Sequence, residues 1–146
     1  MTFRFRLDAV LRFRESVERT EEAALHRIVQ EVAEVELEIH RVNLKMIGLR
    51  EQRERDLTRT IPAVHLMEIA ERELELRKLN DGLHSRLQQL ESQRLRQLAI
   101  YQTARQNREV LKELREQQRH AYQLEQGRRE QKALDDLFLT RRRRRD

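Results

Sequence analysis

From Leu25 to Leu49 the chain places an apolar residue at eight successive seam positions of a helix pair: Leu25, Ile28, Val32, Val35, Ile39, Val42, Met46 and Leu49. The steps alternate between three and four, the spacing that keeps one narrow stripe facing a partner helix, so a coiled coil is expected. Upstream the apolar positions continue as Phe3, Leu7, Val10, Val17 and Ala24. Two successive steps of four, Ala24 to Ile28 to Val32, predict a stutter that relaxes the supercoil. Polar Arg14 and Glu21 occupy seam positions in the same region, so the pairing there is expected to be looser than around Val35.

A second stripe begins after the only proline and runs Leu66, Ile69, Leu76, Leu79, Leu83, Leu87, Leu90, Leu98 and Tyr101, then Ala104, Leu111, Leu114, Ala121 and Leu124. Glu73, Arg94, Arg108 and Gln118 interrupt it. Between the stripes lies Thr58-Arg59-Thr60-Ile61-Pro62. Proline is accepted in a helix's first turn but not inside it, and it pushes the preceding residue towards an extended conformation, so Thr60, Ile61 and Pro62 read as a turn. Thr58 and Thr60 are both suitable N-caps, although neither has Glu or Gln three positions later. Reversal at Pro62 pairs residues whose numbers sum to roughly 122, which sets Ile39 near Leu83, Val35 near Leu87 and Val32 near Leu90. The richest parts of the two stripes then face each other, which favours an antiparallel pair within one chain over a parallel dimer.

The expected fold is all-α: a long two-helix antiparallel coiled-coil hairpin over residues 1–140, with helices 3–58 and 62–139 and a turn at 58–62. At 1.5 Å per residue the helices measure ~84 Å and ~117 Å, so the second is the longer and its residues from about 122 onward lack a partner in the same chain. Residues 141–146 are expected to form a disordered basic tail.

Composition limits the chemistry. With 38% hydrophobic, 39% charged and 4% aromatic residues there is too little bulk for a thick core. No cysteine is present, which removes disulfides, thiolate metal sites and cysteine nucleophiles. The longest apolar run, Leu98-Ala99-Ile100-Tyr101, is far short of a membrane span or a signal-peptide core, so a soluble protein without membrane insertion or a classical secretory signal is expected. His26, His40, His65, His84 and His120 never recur at i,i+4, and Asp81 with His84 supplies only one half of a bundle metal site. Ser16, Ser85 and Ser92 lack an oxyanion loop, and no glycine cluster could cradle phosphate. No enzyme activity, catalytic residue, metal, cofactor or small-molecule substrate is expected, since two helices offer no water-excluding pocket.

The ends carry more information. Residues 105–146 hold 13 basic and 8 acidic groups, whereas the two signs balance in residues 1–104. All four phenylalanines, Phe3, Phe5, Phe13 and Phe138, fall at the open end of the hairpin. On a helical wheel Phe3, Leu7, Val10 and Leu11 form one stripe and Phe5, Ala9 and Phe13 a second, which one neighbouring helix cannot cover, so a partner-protein surface is favoured there. Arg141 to Arg145 are open to three readings: a solvated tail, a phosphate-binding tail for nucleic acid or anionic lipid, and a dock for an acidic protein surface. Aromatics interleaved for base stacking are missing, so nucleic acid is disfavoured. The alternative function from the residues alone is a nucleic-acid-associated coiled coil that binds phosphate through this arginine tail.

Phe3-Arg4-Phe5-Arg6-Leu7, followed by Val10-Leu11 and Arg14-Glu15, resembles the opening of the FliJ family of flagellar export proteins. Arg129-Glu130-Gln131-Lys132, followed by Leu134-Asp135-Asp136, is similar to the family's closing segment. The resemblance implies a cytoplasmic, non-enzymatic part of the flagellar type III export apparatus, associated peripherally with the flagellar base at the inner membrane. It further implies a central stalk that binds and stimulates the hexameric export ATPase, links it to the membrane export gate protein and, in some members, escorts export chaperones. Carried over residue by residue, the ATPase end comprises Phe3, Phe5, Leu7, Val10, Leu11, Phe13, Arg128, Arg129, Lys132, Leu134, Asp135 and Asp136. The gate contact comprises Val42, Leu49, Leu76 and Leu83, where family members often have aromatic residues and this chain has aliphatic ones.

Overall fold

The computed structural model describes residues 2–144, among which there are two α-helices, α1 (Asp8–Leu57) and α2 (Ala63–Arg143), and no strand. The helices contain 50 and 81 residues and pack on each other as an all-α hairpin whose second helix is the longer. Leu, Glu, Arg and Gln, which lose little rotamer freedom in a helix, dominate both helices.

The stripe periodicity starts the first helix at Phe3, but α1 starts at Asp8. Phe3-Arg4-Phe5-Arg6 alternates apolar and basic residues with the period of extended chain, and this segment is non-helical. Asp8 supplies the negative charge that a helix N-terminus favours and forms a 3.0 Å ion pair with Arg12 one turn on. At the other end of α1 the Thr58 hydroxyl donates to the Arg55 carbonyl at 2.6 Å, and the amides of Thr58 and Arg59 donate to Arg55 and Asp56 at 3.3 and 3.2 Å. Thr58 therefore closes α1 rather than capping α2. Pro62 lies immediately before α2, and its carbonyl accepts the His65 amide at 3.0 Å. The ring's missing N–H falls where a helix leaves its N–H groups unpaired in any case. The helix also outlasts the expected end at residue 139: Arg141, Arg142 and Arg143 are helical, because nothing in this stretch breaks a helix and cations suit its C-terminus. Arg145, the last member of the basic run, lies outside the described residues.

The chain divides into two compact units. One is Glu21–Tyr101, a hairpin about the turn, whose core contains Val32, Ile39, Val42, Ile69 and Leu90. Across it Glu31 meets Arg86 at 3.1 Å, Arg53 meets Glu73 at 3.2 Å and Asp56 approaches His65 at 3.6 Å. These pairs lie within about five positions of the register expected from the turn. Every apolar seam position from Leu25 to Leu49 is buried or half-buried. In α2, however, the seam passes through Asn80 and Gln97 rather than Leu79 and Leu98. Leu79 is 47% exposed, whereas Asn80 is half-buried, with an Oδ1 that has no hydrogen-bond partner. Strict alternation of three and four from Leu66 onward requires Asn80 at that level, and periodicity prevails over polarity.

The other unit joins residues 2–20 to 102–144, with Phe5, Leu11 and Ala104 buried. The stutter expected at Ala24 is unnecessary, since Glu21, Glu18, Arg14 and Leu11 continue the three-four alternation upstream of Leu25 and are all buried or half-buried.

Gly48 and Gly82 are helical, neither has a positive φ, and an added Cβ would meet nothing within 4 Å at either. Gly48→Ala and Gly82→Ala should each stabilise the fold by about 0.5–1 kcal/mol through helix propensity. A higher urea midpoint with an unchanged slope is the expected reading; a lower midpoint would contradict the open space.

Candidate functional site

The residues expected at the ATPase end separate into two groups. Phe5 and Leu11 are core, and Leu11 is only 1% exposed. Phe3 is half-buried, with its ring 5.7 Å from Tyr122 at 47°. The second wheel stripe is therefore not a surface: because residues 2–7 precede the helix, Phe5 turns inward while Phe13 is left 62% exposed. Leu7, Val10 and Phe13 form the apolar surface on this side, and the Arg14 guanidinium lies 5.9 Å over the Phe13 ring. In the closing segment every residue from Gly127 to Arg144 is exposed, including Arg128, Arg129, Lys132, Leu134, Asp135 and Asp136. Local pairs hold its helix: Arg129 with Glu125, Gln131 with Asp135 at 3.2 Å, and the Thr140 hydroxyl with the Asp136 carbonyl at 2.8 Å. Leu134, Leu137, Phe138 and Leu139 give it an uncovered apolar surface.

Beside the non-helical segment of residues 2–7 lies an open cleft of ≈ 1090 Å³. Arg4, Arg6 and Arg12 line it from one side and Arg115 and Arg119 from α2, with Asp8 as the single carboxylate in its wall. Sequence reasoning missed the α2 contribution. The signal was available, because Arg115 and Arg119 recur at i,i+4 and the expected register sets them opposite Leu7 and Phe3.

Deeper in the same unit, Arg108 grips Glu18 with both arms of its guanidinium, Nε to Oε2 at 2.6 Å and Nη2 to Oε1 at 3.1 Å. The two side chains are 19% and 15% exposed. Hydrogen bonding from Arg108 holds the Glu18 carboxyl below its ordinary value against the opposing effect of desolvation, and the same bond raises Arg108. In the hairpin unit Gln97 donates to both the backbone carbonyl and the carboxylate of Glu21. These polar seam residues are interhelical partners.

The four residues expected at the gate are also treated unequally. Leu49 and Leu76 share a shallow hollow with Lys45, Gly48, Gln52 and Arg72. Leu83 is half-buried outside it, and Val42 is fully buried between the helices, where it can contact no partner while they remain packed. Among the described residues no group of three or more His, Asp or Glu side chains is placed to hold a metal ion, and no helix is long and apolar enough to cross a membrane.

Residues 3–146 match the family described as Flagellar FliJ protein. The chain belongs to the FliJ family. As a FliJ protein it is a non-catalytic component of flagellar protein export. Neither a curated protein nor a solved structure matches this FliJ chain.

Proposed function

We propose that the protein is a stalk of the hexameric flagellar export ATPase, with its exposed apolar surfaces at Leu7, Val10 and Phe13 and along Leu134 to Leu139 seated in the ring. The observation that carries this reading is the uncovered end of α2, which exposes Leu134, Leu137, Phe138 and Leu139 over two helical turns. A helix with no partner of its own leaves such a surface to another protein. Binding favours the active ring only if that arrangement has the higher affinity for the stalk. Phe5 and Leu11 serve by holding the non-helical segment and α1 in place. The gate contact is made by Leu49 and Leu76 in their hollow and by Leu83, with Val42 keeping the helices together beneath; an escort role towards export chaperones would use the same exposed surfaces. The protein then works at the cytoplasmic side of the flagellar base.

ATP hydrolysis by the ring, measured with and without the protein, tests this. Stimulation and co-elution at modest salt are expected. Phe13→Ala combined with Phe138→Ala should weaken binding roughly tenfold or more if these rings are anchors. Absence of both stimulation and co-elution removes the stalk reading.

A further inference from the structure

The arginine cleft is the most one-sided concentration of charge with a defined shape on the protein. Of the side chains lining it, five are arginines and one is a carboxylate. Asp8 is engaged by Arg12 at 3.0 Å, and Arg115 lies 3.6 Å from its neighbour Glu116. Arg4, Arg6 and Arg119 have no carboxylate partner among the described residues. All five are exposed or half-buried, so their guanidiniums remain hydrated.

We infer that this cleft is a binding groove for an acidic polypeptide segment, whose carboxylates are gripped by Arg4 and Arg6 on one wall and Arg115 and Arg119 on the other. A planar guanidinium matches a carboxylate with two parallel hydrogen bonds, and two such walls can grip a single extended or helical strand between them. Phosphate would satisfy the same charges, but a nucleic acid would also offer bases. Of the two rings that line the groove, Phe5 is buried and the half-buried Phe3 already packs against Tyr122, so neither is fully open for bases to stack on. The alternation of Phe3, Phe5 with Arg4, Arg6 matches the placement: the Phe3 ring meets Tyr122 of α2 and Phe5 is buried, while the intervening arginines are exposed. The identity of the partner as the export ATPase rests on the stalk reading; the chemistry of the groove does not.

The test uses the full chain and fluorescence anisotropy with a short labelled peptide of alternating Glu and Ala, alongside a single-stranded DNA oligomer of equal charge. Arg115→Gln with Arg119→Gln should weaken peptide binding roughly tenfold, whereas Arg141→Gln, Arg142→Gln and Arg143→Gln together should leave it within about twofold. Arg4→Gln with Arg6→Gln, which lies outside both helices, should repeat the loss if the first variant folds poorly. Equal losses in groove and tail variants would show diffuse attraction and overturn the inference. So would tighter binding of DNA through the same four arginines. If the unaltered protein stimulates the ATPase and the groove variants stimulate it equally, the groove has no part in the stalk. If the unaltered protein does not stimulate it at all, the stalk reading falls while the peptide titration still decides the groove.

Discussion

Leu90→Ala is expected to destabilise the fold by roughly 2–5 kcal/mol, a large share of the stability of any chain this size. Leu90 is 1% exposed, and the register sets it opposite Val32, itself buried. A two-helix seam has no third layer to collapse into the space a lost side chain leaves. The cost should therefore sit in the upper part of the range for such truncations. Urea unfolding followed by circular dichroism would show a lower midpoint with an unchanged slope. Leu90→Met, which conserves volume, should cost less than about 1.5 kcal/mol. Leu95→Ala provides the contrast, since Leu95 is 62% exposed and its truncation should change stability by no more than about 0.5 kcal/mol. Equal midpoints for Leu90→Ala and Leu95→Ala would overturn the seam assignment.

The second large effect concerns Glu18 and Arg108. Glu18→Gln should cost roughly 1–2 kcal/mol near neutral pH, a range lowered to allow for the partial exposure of both groups. The folded-state pKa of Glu18 is depressed from its ordinary value of 4.5. Its contribution is therefore complete above that value and disappears as pH falls through the lower folded value. The unaltered protein should lose stability on acidification across this window, and Glu18→Gln should remove that part of the loss. Arg108, raised rather than lowered, stays charged throughout and adds no titration of its own. Exchanging the charges with Glu18→Arg and Arg108→Glu should recover part of the stability lost by either single change, which a double-mutant cycle would measure. Pure additivity of the two substitutions would show that the pair is not coupled.

Much of this architecture is readable from periodicity. Leu25 to Leu49 identify their own seam, and Pro62 marks the reversal that fixes which residues oppose one another. Periodicity misleads where two readings of a stretch compete. Leu79 is the obvious apolar choice beside Leu76 and Leu83, yet unbroken alternation demands Asn80, and a single chemical preference does not rotate a long helix. At Phe3 to Leu7 the helical period is not realised: the segment is non-helical and turns at Arg6 and Leu7, with the Asp8 amide donating to the Phe5 carbonyl at 3.3 Å, and Asp8 provides the start signal only after it. Because the helix begins only at Asp8, Phe5 and Phe13 do not share one helical face, and Phe5 is interior while Phe13 is exterior. The cleft depends on side chains more than a hundred residues apart, so Arg115 and Arg119 are noticed only when the register is applied to polar residues as well as to the apolar seam.

The meeting of Phe3 with Tyr122 has a consequence for synthesis. At a translation rate of about 5–20 residues per second, on the order of ten seconds separates the appearance of the first ring from that of the second. The hairpin unit, Glu21–Tyr101, has by then been made in full and contains its own turn and core. Phe5, Leu11 and the arginines beside them wait for a segment made much later. A chain interrupted before Tyr122 would complete the hairpin unit and still lack the aromatic closure and, if cut before Arg115, one wall of the cleft. Such a fragment would keep Leu7, Val10 and Phe13 but lack the exposed apolar surface from Leu134 to Leu139 on which the stalk reading rests.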